Sequence, residues 1–238
     1  MLAYCDLHIH SCLSPCAQDD MTPANIVGMA RVKGLDVIAV TDHNCALNLP
    51  AALAAGKEMG VQVLPGLEVT TKEDVHVLAY FEALEDAMAF GRVVDAHLPW
   101  VQNQPELFGR QWVMDSRDQV DYEWEKLLLN ATDFSLERLC ALIGERGGVA
   151  VPAHINRGSN GMIGALGLMP MLPAHPLVEV APALPCPAYA TQGRTLLHAS
   201  DAHRLEDILE RVFALEVEEA TVKGVLGRFR QAAKESSK

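Results

Sequence analysis

The sequence predicts a parallel α/β barrel folded as one domain over residues 1–238, and three observations predict it. Short apolar runs alternate with helical patterns through short joins, the order of strands laid side by side with helices over them. His, Asp or Glu stands in or at the end of almost every apolar run, and such barrels gather their working residues at the carboxyl ends of many strands. The chain has 238 residues, 50% of them hydrophobic, which suits a single closed barrel with a large core.

The first strand covers residues 3–9. Asp6, His8 and His10 are spaced two apart, which on a regular strand puts all three on one face and leaves Leu7 and Ile9 to pack against helices. Two adjacent imidazoles with a carboxylate beside them are ready ligands for Zn, Mn, Fe or Ni. The turn 11–20, rich in Ser, Cys, Pro and Asp, should line the site. Thr22 is placed to cap a helix that begins at Pro23 and ends at Gly34. Residues 36–41 form a second strand, apolar throughout as suits burial on both faces, and Asp42-His43 follow it. A helix over 48–59 stops at Gly60. Strand 61–64 is bent by Pro65-Gly66 before Glu68, and strand 75–80 contains His76.

Residues 82–133 break the rhythm. Helical patterns over 82–98 and 117–130 predict a helical insertion over or beside the barrel. Trp100, Trp112 and Trp124 all fall within it and are read as packing residues. Ser135 caps a helix that runs to Arg146. Strand 149–153 leads to His154, and Arg157 lies in the polar loop 156–161. The apolar stretch 162–171 is expected to cover something. Val178-Glu179-Val180 is a short strand, 182–187 a proline-rich connection, and 196–199 a strand with Asp201 and His203 beyond its end. A last strand over 213–217 and an amphipathic helix over 219–234 close the chain. His97, His175 and His198 lie away from the strand-end pattern and are read as surface or packing residues.

The net charge of −12 argues against a general nucleic-acid scaffold. It admits a small phosphorylated substrate, such as a nucleotide or a sugar or amino-alcohol phosphate, because bound cations reverse the local potential. Long nucleic acid is not expected as a partner. No apolar run reaches the roughly 18 residues of a membrane helix, and no basic-then-apolar leader opens the chain, so no membrane partner and a cytoplasmic location are expected. The six cysteines form no Cys-x-x-Cys pair and are read as free thiols.

Taken in order, six motifs resemble the PHP family, named for polymerases and histidinol phosphatase. They are Asp6-Leu7-His8-Ile9-His10, Thr41-Asp42-His43, Gly66-Leu67-Glu68-Val69, Val75-His76-Val77, Pro152-Ala153-His154-Ile155 and Ser200-Asp201-Ala202-His203. The resemblance implies a distorted (β/α)7, TIM-like barrel holding two or three divalent ions, Zn, Mn or Fe. It implies one ion on His8, His10, Glu68 and Asp201, a second on Glu68 as bridge with His76 and His154, and a third on His43 and His203. Family members offer a further His or Asp soon after the first pair. Here that stretch is Ser14-Pro15-Cys16, so Cys16, whose thiolate favours zinc, and Asp19 or Asp20 are the alternatives. Asp6 and Asp42 either fix ligating imidazoles or cap backbone groups.

The implied reaction is hydrolysis of a phosphoester by a metal-bound hydroxide, as a phosphomonoesterase or small-nucleotide phosphodiesterase. His43 or His203 would act as the acid toward the leaving oxygen. Arg157 would hold a phosphate oxygen or else form a surface salt bridge. One rival is an amidohydrolase-like C–N hydrolase, which usually wants a bridging lysine on a strand. Another is a metal-stabilised barrel without chemistry. A polymerase proofreading module is a third, but the chain has no polymerase part and is acidic.

Overall fold

The computed structural model describes residues 1–170 and 175–235. β1 (Leu2–Ile9), β2 (Val37–Val40) and β3 (Gln62–Thr70) run parallel, with α1 (Pro23–Val32) and α2 (Leu49–Met59) on their crossovers. The Thr22 hydroxyl accepts from the Asn25 N–H and so caps α1 with Pro23 in its first turn, as its sequence predicts. β3 does not stop at Pro65. It continues to Thr70, because Pro65 pairs with Val40 where the missing N–H is tolerated, and this carries Glu68 into the strand.

β4 (His76–Tyr80) pairs antiparallel with β3, against the all-parallel expectation. The join over 71–75 is far shorter than the dozen or so residues a parallel crossover needs. The reversal places His76 opposite Thr70, on the rim where the parallel strands end. α3 (Leu84–His97), α4 (Pro105–Phe108), β5 (Trp112–Met114) and β6 (Val120–Glu123) follow. The insertion is therefore helical only in part, and no helix forms over 117–130. There Asp115 Oδ1 accepts from the Arg117 and Gln119 N–H groups, Asp118 takes φ 60°, and the strand formers Val120 and Tyr122 pair back on β5. Trp112 and Trp124 are half-buried packing residues, but Trp100 is 69% exposed and does not fit that reading.

α5 (Leu136–Glu145), capped by the Ser135 hydroxyl, leads into β7 (Val149–Pro152), antiparallel to β4. Beyond α6 (Met162–Leu166), β8 (Leu177–Glu179) and β9 (Thr195–Leu197) form a separate parallel pair joined through α7 (Ala188–Thr191). Part of the apolar stretch expected over 162–171 thus forms α6, while Met171 lies outside the described residues. β10 (Ala214–Glu216) adds antiparallel to β1, giving the order β10-β1-β2-β3-β4-β7. The Ile155 N–H donates to the Glu179 carbonyl, and Ile9 bridges to Ala202, so the β8–β9 pair spans from β7 toward the end of β1. The architecture is a curled, mixed half-barrel of six strands with a second pair beside it; the seven-strand (β/α)7 count is not reproduced.

β1 carries a bulge. Asp6 pairs with Ile38 and Ile9 with Val40, so three steps on β1 match two on β2. The side-chain alternation shifts by one at this point. Leu7 joins Ala3 and Cys5 on the inner face, whereas Ile9 packs outward with Ile26, Ile38 and Val40. His8 and His10 turn inward, but Asp6 does not share their face: its carboxylate accepts from Ser200 and from the Leu209 N–H. The single-face arrangement expected of Asp6, His8 and His10 fails for that reason.

The outer faces of the strands pack on α1, α2, α3 and α5. The inner faces enclose a second core of Ala3, Leu7, Leu64, Leu78, Tyr80 and Val151, closed by Val225, Leu226 and Phe229 of α8 (Val222–Glu235). All six cysteines are free, as expected. Among the described residues no helix is long and apolar enough to cross a membrane.

Candidate metal centre

Above the inner apolar core, the same strand faces turn polar. His8 Nε2 lies 3.1 Å from His10 Nε2, 3.3 Å from Glu68 Oε1 and 3.3 Å from Asp201 Oδ1. His10 Nε2 lies 3.1 Å from the same Asp201 oxygen and 3.5 Å from Glu68 Oε2. On the far side of Glu68, His76 Nδ1 stands 2.9 Å and His154 Nε2 3.2 Å from Oε1. The two sets expected around the Glu68 bridge are thus brought together. His43 differs from expectation: its Nδ1 stands 2.9 Å from Glu68 Oε2, so it belongs beside the bridge as well as beside His203.

Two partners orient the inner histidines. His8 Nδ1 donates to Glu179 Oε2 at 2.8 Å, and that carboxylate is fully buried. Sequence reasoning passed over Glu179; its signal was a carboxylate between two valines on a short strand, facing inward by alternation. His10 Nδ1 donates to the Ser14 hydroxyl at 3.0 Å. That hydroxyl spends its one proton on Asp42 Oδ1 at 2.7 Å and accepts the His43 N–H on one lone pair, so it can only accept from His10, which must carry its proton on Nδ1. Its Nε2 lone pair therefore faces Asp201 and Glu68. Asp42 acts on His10 through Ser14 and also caps Ser11; Asp6 caps Ser200 and orients no imidazole.

The open side of the cluster is the rim of His43, His203 and Cys16. The His203 Nδ1–H donates to the Asp201 carbonyl at 2.8 Å, and the His10 ring lies 4.3 Å from His43 and 4.4 Å from His203 between centroids. Cys16 lies exposed on the loop between Ser14, which accepts the His43 N–H, and Gln18, whose N–H donates to the His203 carbonyl, while Asp19 and Asp20 lie exposed further along. Arg157 pairs with Asp201 at the mouth of the site, its side chain 42% exposed. His97 pairs with Asp133 at the surface, His198 donates to the Val180 carbonyl, and His175 is buried elsewhere. Asn44, His154 and Asp201 hold φ values of 51°, 27° and 52°, a left-handed region that costs a non-glycine residue of order 1–3 kcal/mol. All three adjoin or belong to the cluster.

The electrostatics ask for positive charge. Burial opposes ionisation of Glu68, yet the His76 and His8 imidazoles hold it well below the carboxylate range. Asp201 is likewise held low, against burial, by His8 and His10. Burial would lower His8, but Glu179 and Asp201 raise it well above the usual imidazole value. Burial and the neighbouring His43 push His10 down. Burial would raise Cys16, but hydrogen bonds from His203 and His43 bring it to about 7. Buried atoms without a hydrogen bond include His43 Nδ1, Glu68 Oε2, His76 Nδ1 and His154 Nδ1. Two of these nitrogens sit 2.9 Å from Glu68 oxygens in an orientation that makes no bond. Acceptors converging in this way fit divalent cations, and the N/O donor set suits Zn, Mn or Fe.

The profile of the PHP domain matches residues 6–158. The 3′,5′-nucleoside bisphosphate phosphatase of Chromobacterium violaceum is 33% identical over 94 residues, 38% of this chain and 32% of that protein. The PolC-type DNA polymerase III of Bacillus cereus is 40% identical over 79 residues, 33% of this chain and 5% of the polymerase. The chain thus matches a third or less of the length of these curated relatives. The lesion-specific endonuclease PfuEndoQ from Pyrococcus furiosus shares the fold, with a TM-score of 0.71 at 18% identity over 97% of this chain and 56% of that one. Endonuclease Q has also been solved with a 27-mer duplex substrate carrying an abasic lesion at its active site. That complex corrects the expectation that long nucleic acid is ruled out. The net charge of −12 is a sum over the whole chain and does not describe the potential at one cleft. With the profile match running over 6–158 of 238 residues and taking in every motif from Asp6 to His154, this chain belongs to the PHP domain family.

Proposed function

We propose that this protein hydrolyses phosphoesters with a cluster of divalent cations held around Glu68. The observation that carries the reading is the convergence of His8, His10, His43, His76 and His154 on the two oxygens of that one buried carboxylate, with Asp201 against His8 and His10. Divalent cations bound there would supply an activated water at neutral pH and offset charge on the phosphate oxygens. Glu68 and Asp201 would hold them, and Glu179 and Ser14 keep His8 and His10 in the tautomers that present Nε2. The Arg157 guanidinium, paired with Asp201 at the mouth, would grip a phosphate oxygen bidentately. His203, its Nδ1–H tied to the Asp201 carbonyl, has only Nε2 on which to hold or deliver a proton toward the leaving oxygen.

The relatives support phosphoester chemistry in general and leave the substrate open between mononucleotides and nucleic acid. The C–N hydrolase reading lacks its lysine: Lys72, the nearest in sequence to Glu68, is exposed. The test is turnover by chain loaded with Mn, Zn or Fe against an aryl phosphate, a nucleoside bisphosphate, a single-stranded oligonucleotide and a duplex with an abasic site. Metal-dependent release on at least one is expected; none on all four, with metal bound, overturns the proposal.

A further inference from the structure

Arg157 stands at the mouth of the site on the loop that follows the ligand-bearing end of β7. A side chain as long as arginine has many rotamers, so it reaches one point reliably only if its own backbone is fixed. Here the backbone is tied from several sides. The Arg157 N–H donates to the His154 carbonyl at 2.8 Å, and further on the Asn160 carbonyl accepts the His76 N–H at 2.9 Å. Before the arginine, Asn156 bonds across to the connection after β8. Its Oδ1 accepts the Ala181 N–H at 2.9 Å, and its Nδ2 donates to the Ala181 and Leu184 carbonyls at 3.0 and 2.9 Å.

The remaining tie is made by two glycines. A Cβ on Gly164 would stand 2.2 Å from the Gly158 carbonyl oxygen and 2.7 Å from that of Arg157. One on Gly161 would stand 2.5 Å from the Arg157 oxygen and 2.7 Å from that of His154. Neither glycine has a positive φ, so it is the close approach of backbone to backbone that requires them. Gly164 lies inside α6, where alanine is the better helix former, so local propensity does not account for it either. The two glycines differ in what they press on. Gly161 bears on both His154 and Arg157, whereas the nearest atoms to Gly164 belong to Arg157 and Gly158. Gly164 thus addresses the arginine without the neighbouring imidazole.

We propose that Gly164 and Asn156 are positioning residues for Arg157: they fix its guanidinium relative to the Glu68 cluster and so set the affinity of the site for a phosphate group. The inference rests on the phosphoester reading above, and neither residue is assigned a contact with substrate.

The test is binding of inorganic phosphate to the full chain loaded with manganese, measured by isothermal titration. Arg157→Ala is expected to weaken binding about 10- to 100-fold, the size of a lost hydrogen bond to a charged group. Gly164→Ala is expected to weaken it about 10-fold or more. Added to Arg157→Ala, it is expected to change nothing further, because no guanidinium is left to place; a merely structural role would cost the same factor in both backgrounds. Gly158→Ala, whose Cβ meets nothing within 4 Å, is expected to bind phosphate as the parent does. Manganese content and circular dichroism are expected to be unchanged throughout. If Gly164→Ala does not fold, Asn156→Ala takes its place in the same cycle. A parent that binds no phosphate, additive losses, an unchanged affinity in Gly164→Ala or Asn156→Ala, manganese lost from Gly164→Ala, or an equal loss of affinity in Gly158→Ala overturns the inference. A chain that shows the coupling but cleaves no phosphoester sinks only the functional reading, and an active chain whose phosphate affinity ignores Arg157 sinks only this one.

Discussion

The inner face of the sheet is one surface with two halves. Toward α8 it is Ala3, Leu7, Leu64, Leu78, Tyr80 and Val151 against Phe229, and the Tyr80 hydroxyl donates to the Leu7 carbonyl at 2.6 Å. One turn of strand further along, the same face carries His8, Glu68, His76 and His154, with buried atoms that find no partner in the protein. Both halves are equally hidden from water. In the lower half the buried Tyr80 hydroxyl is paired within the chain; in the upper half His43 Nδ1, Glu68 Oε2, His76 Nδ1 and His154 Nδ1 are left without a hydrogen bond. Burial alone therefore does not separate a core from a site, but the state of the buried polar atoms does.

That contrast is broken most completely at Glu68. Glu68→Ala removes the one residue that every part of the upper half faces. Its turnover should fall by more than the ~10³-fold that loss of a single electrostatic stabiliser costs, with cation content dropping by elemental analysis while the apolar half keeps the fold by circular dichroism. Full metal and full turnover in this variant would remove Glu68 from the centre of the site.

A smaller effect is expected at the rim. His203→Ala should lower turnover of an alkyl phosphate by about 10²-fold or more, the size of a lost acid, and should cost an aryl phosphate less because its leaving group departs unaided. The ions around Glu68 should stay bound. Equal rates for parent and variant on both substrates would reduce His203 to packing.

Behind the site, Glu179→Gln should weaken cation binding by about 10- to 100-fold, the usual cost of losing a partner that orients a ligating imidazole. Isothermal titration of metal-free protein measures it, and unchanged affinity would show that His8 needs no such support. In the lower half the smallest effect is expected. Tyr80→Phe removes the hydroxyl's bond to the buried Leu7 carbonyl and should cost about 1 kcal/mol of stability in denaturant, with cation content untouched. Altered metal binding there would mean that the two halves are energetically coupled.

Most of the upper half was legible in the sequence, because a parallel strand ends where its apolar run ends and the ligand types stand just beyond. His8, His10, Glu68, His154 and Asp201 were found in this way and do converge. Glu179 was not, since one carboxylate in a three-residue strand looks like any polar position until the sheet's curl brings it to His8. β6 was read as part of a helix because a four-residue strand is too short to outweigh a loose 3.6-residue pattern. Antiparallel β4 could have been deduced from the shortness of 71–75 alone. The net charge was no guide to the site because it averages a cleft with a surface.

The bulge in β1 sets a rule about length. The residue it adds lets Ala3, Cys5 and Leu7 share an interior with His8 and His10, although they stand at odd and even positions of one strand. Deleting a residue between Asp6 and Ile9 would restore strict alternation. The strand would then have to choose, sending either its apolar half or its two histidines out among the helices. β1 can thus be varied in composition at many positions but not in count, and a one-residue deletion there should be more damaging than any single substitution outside the site.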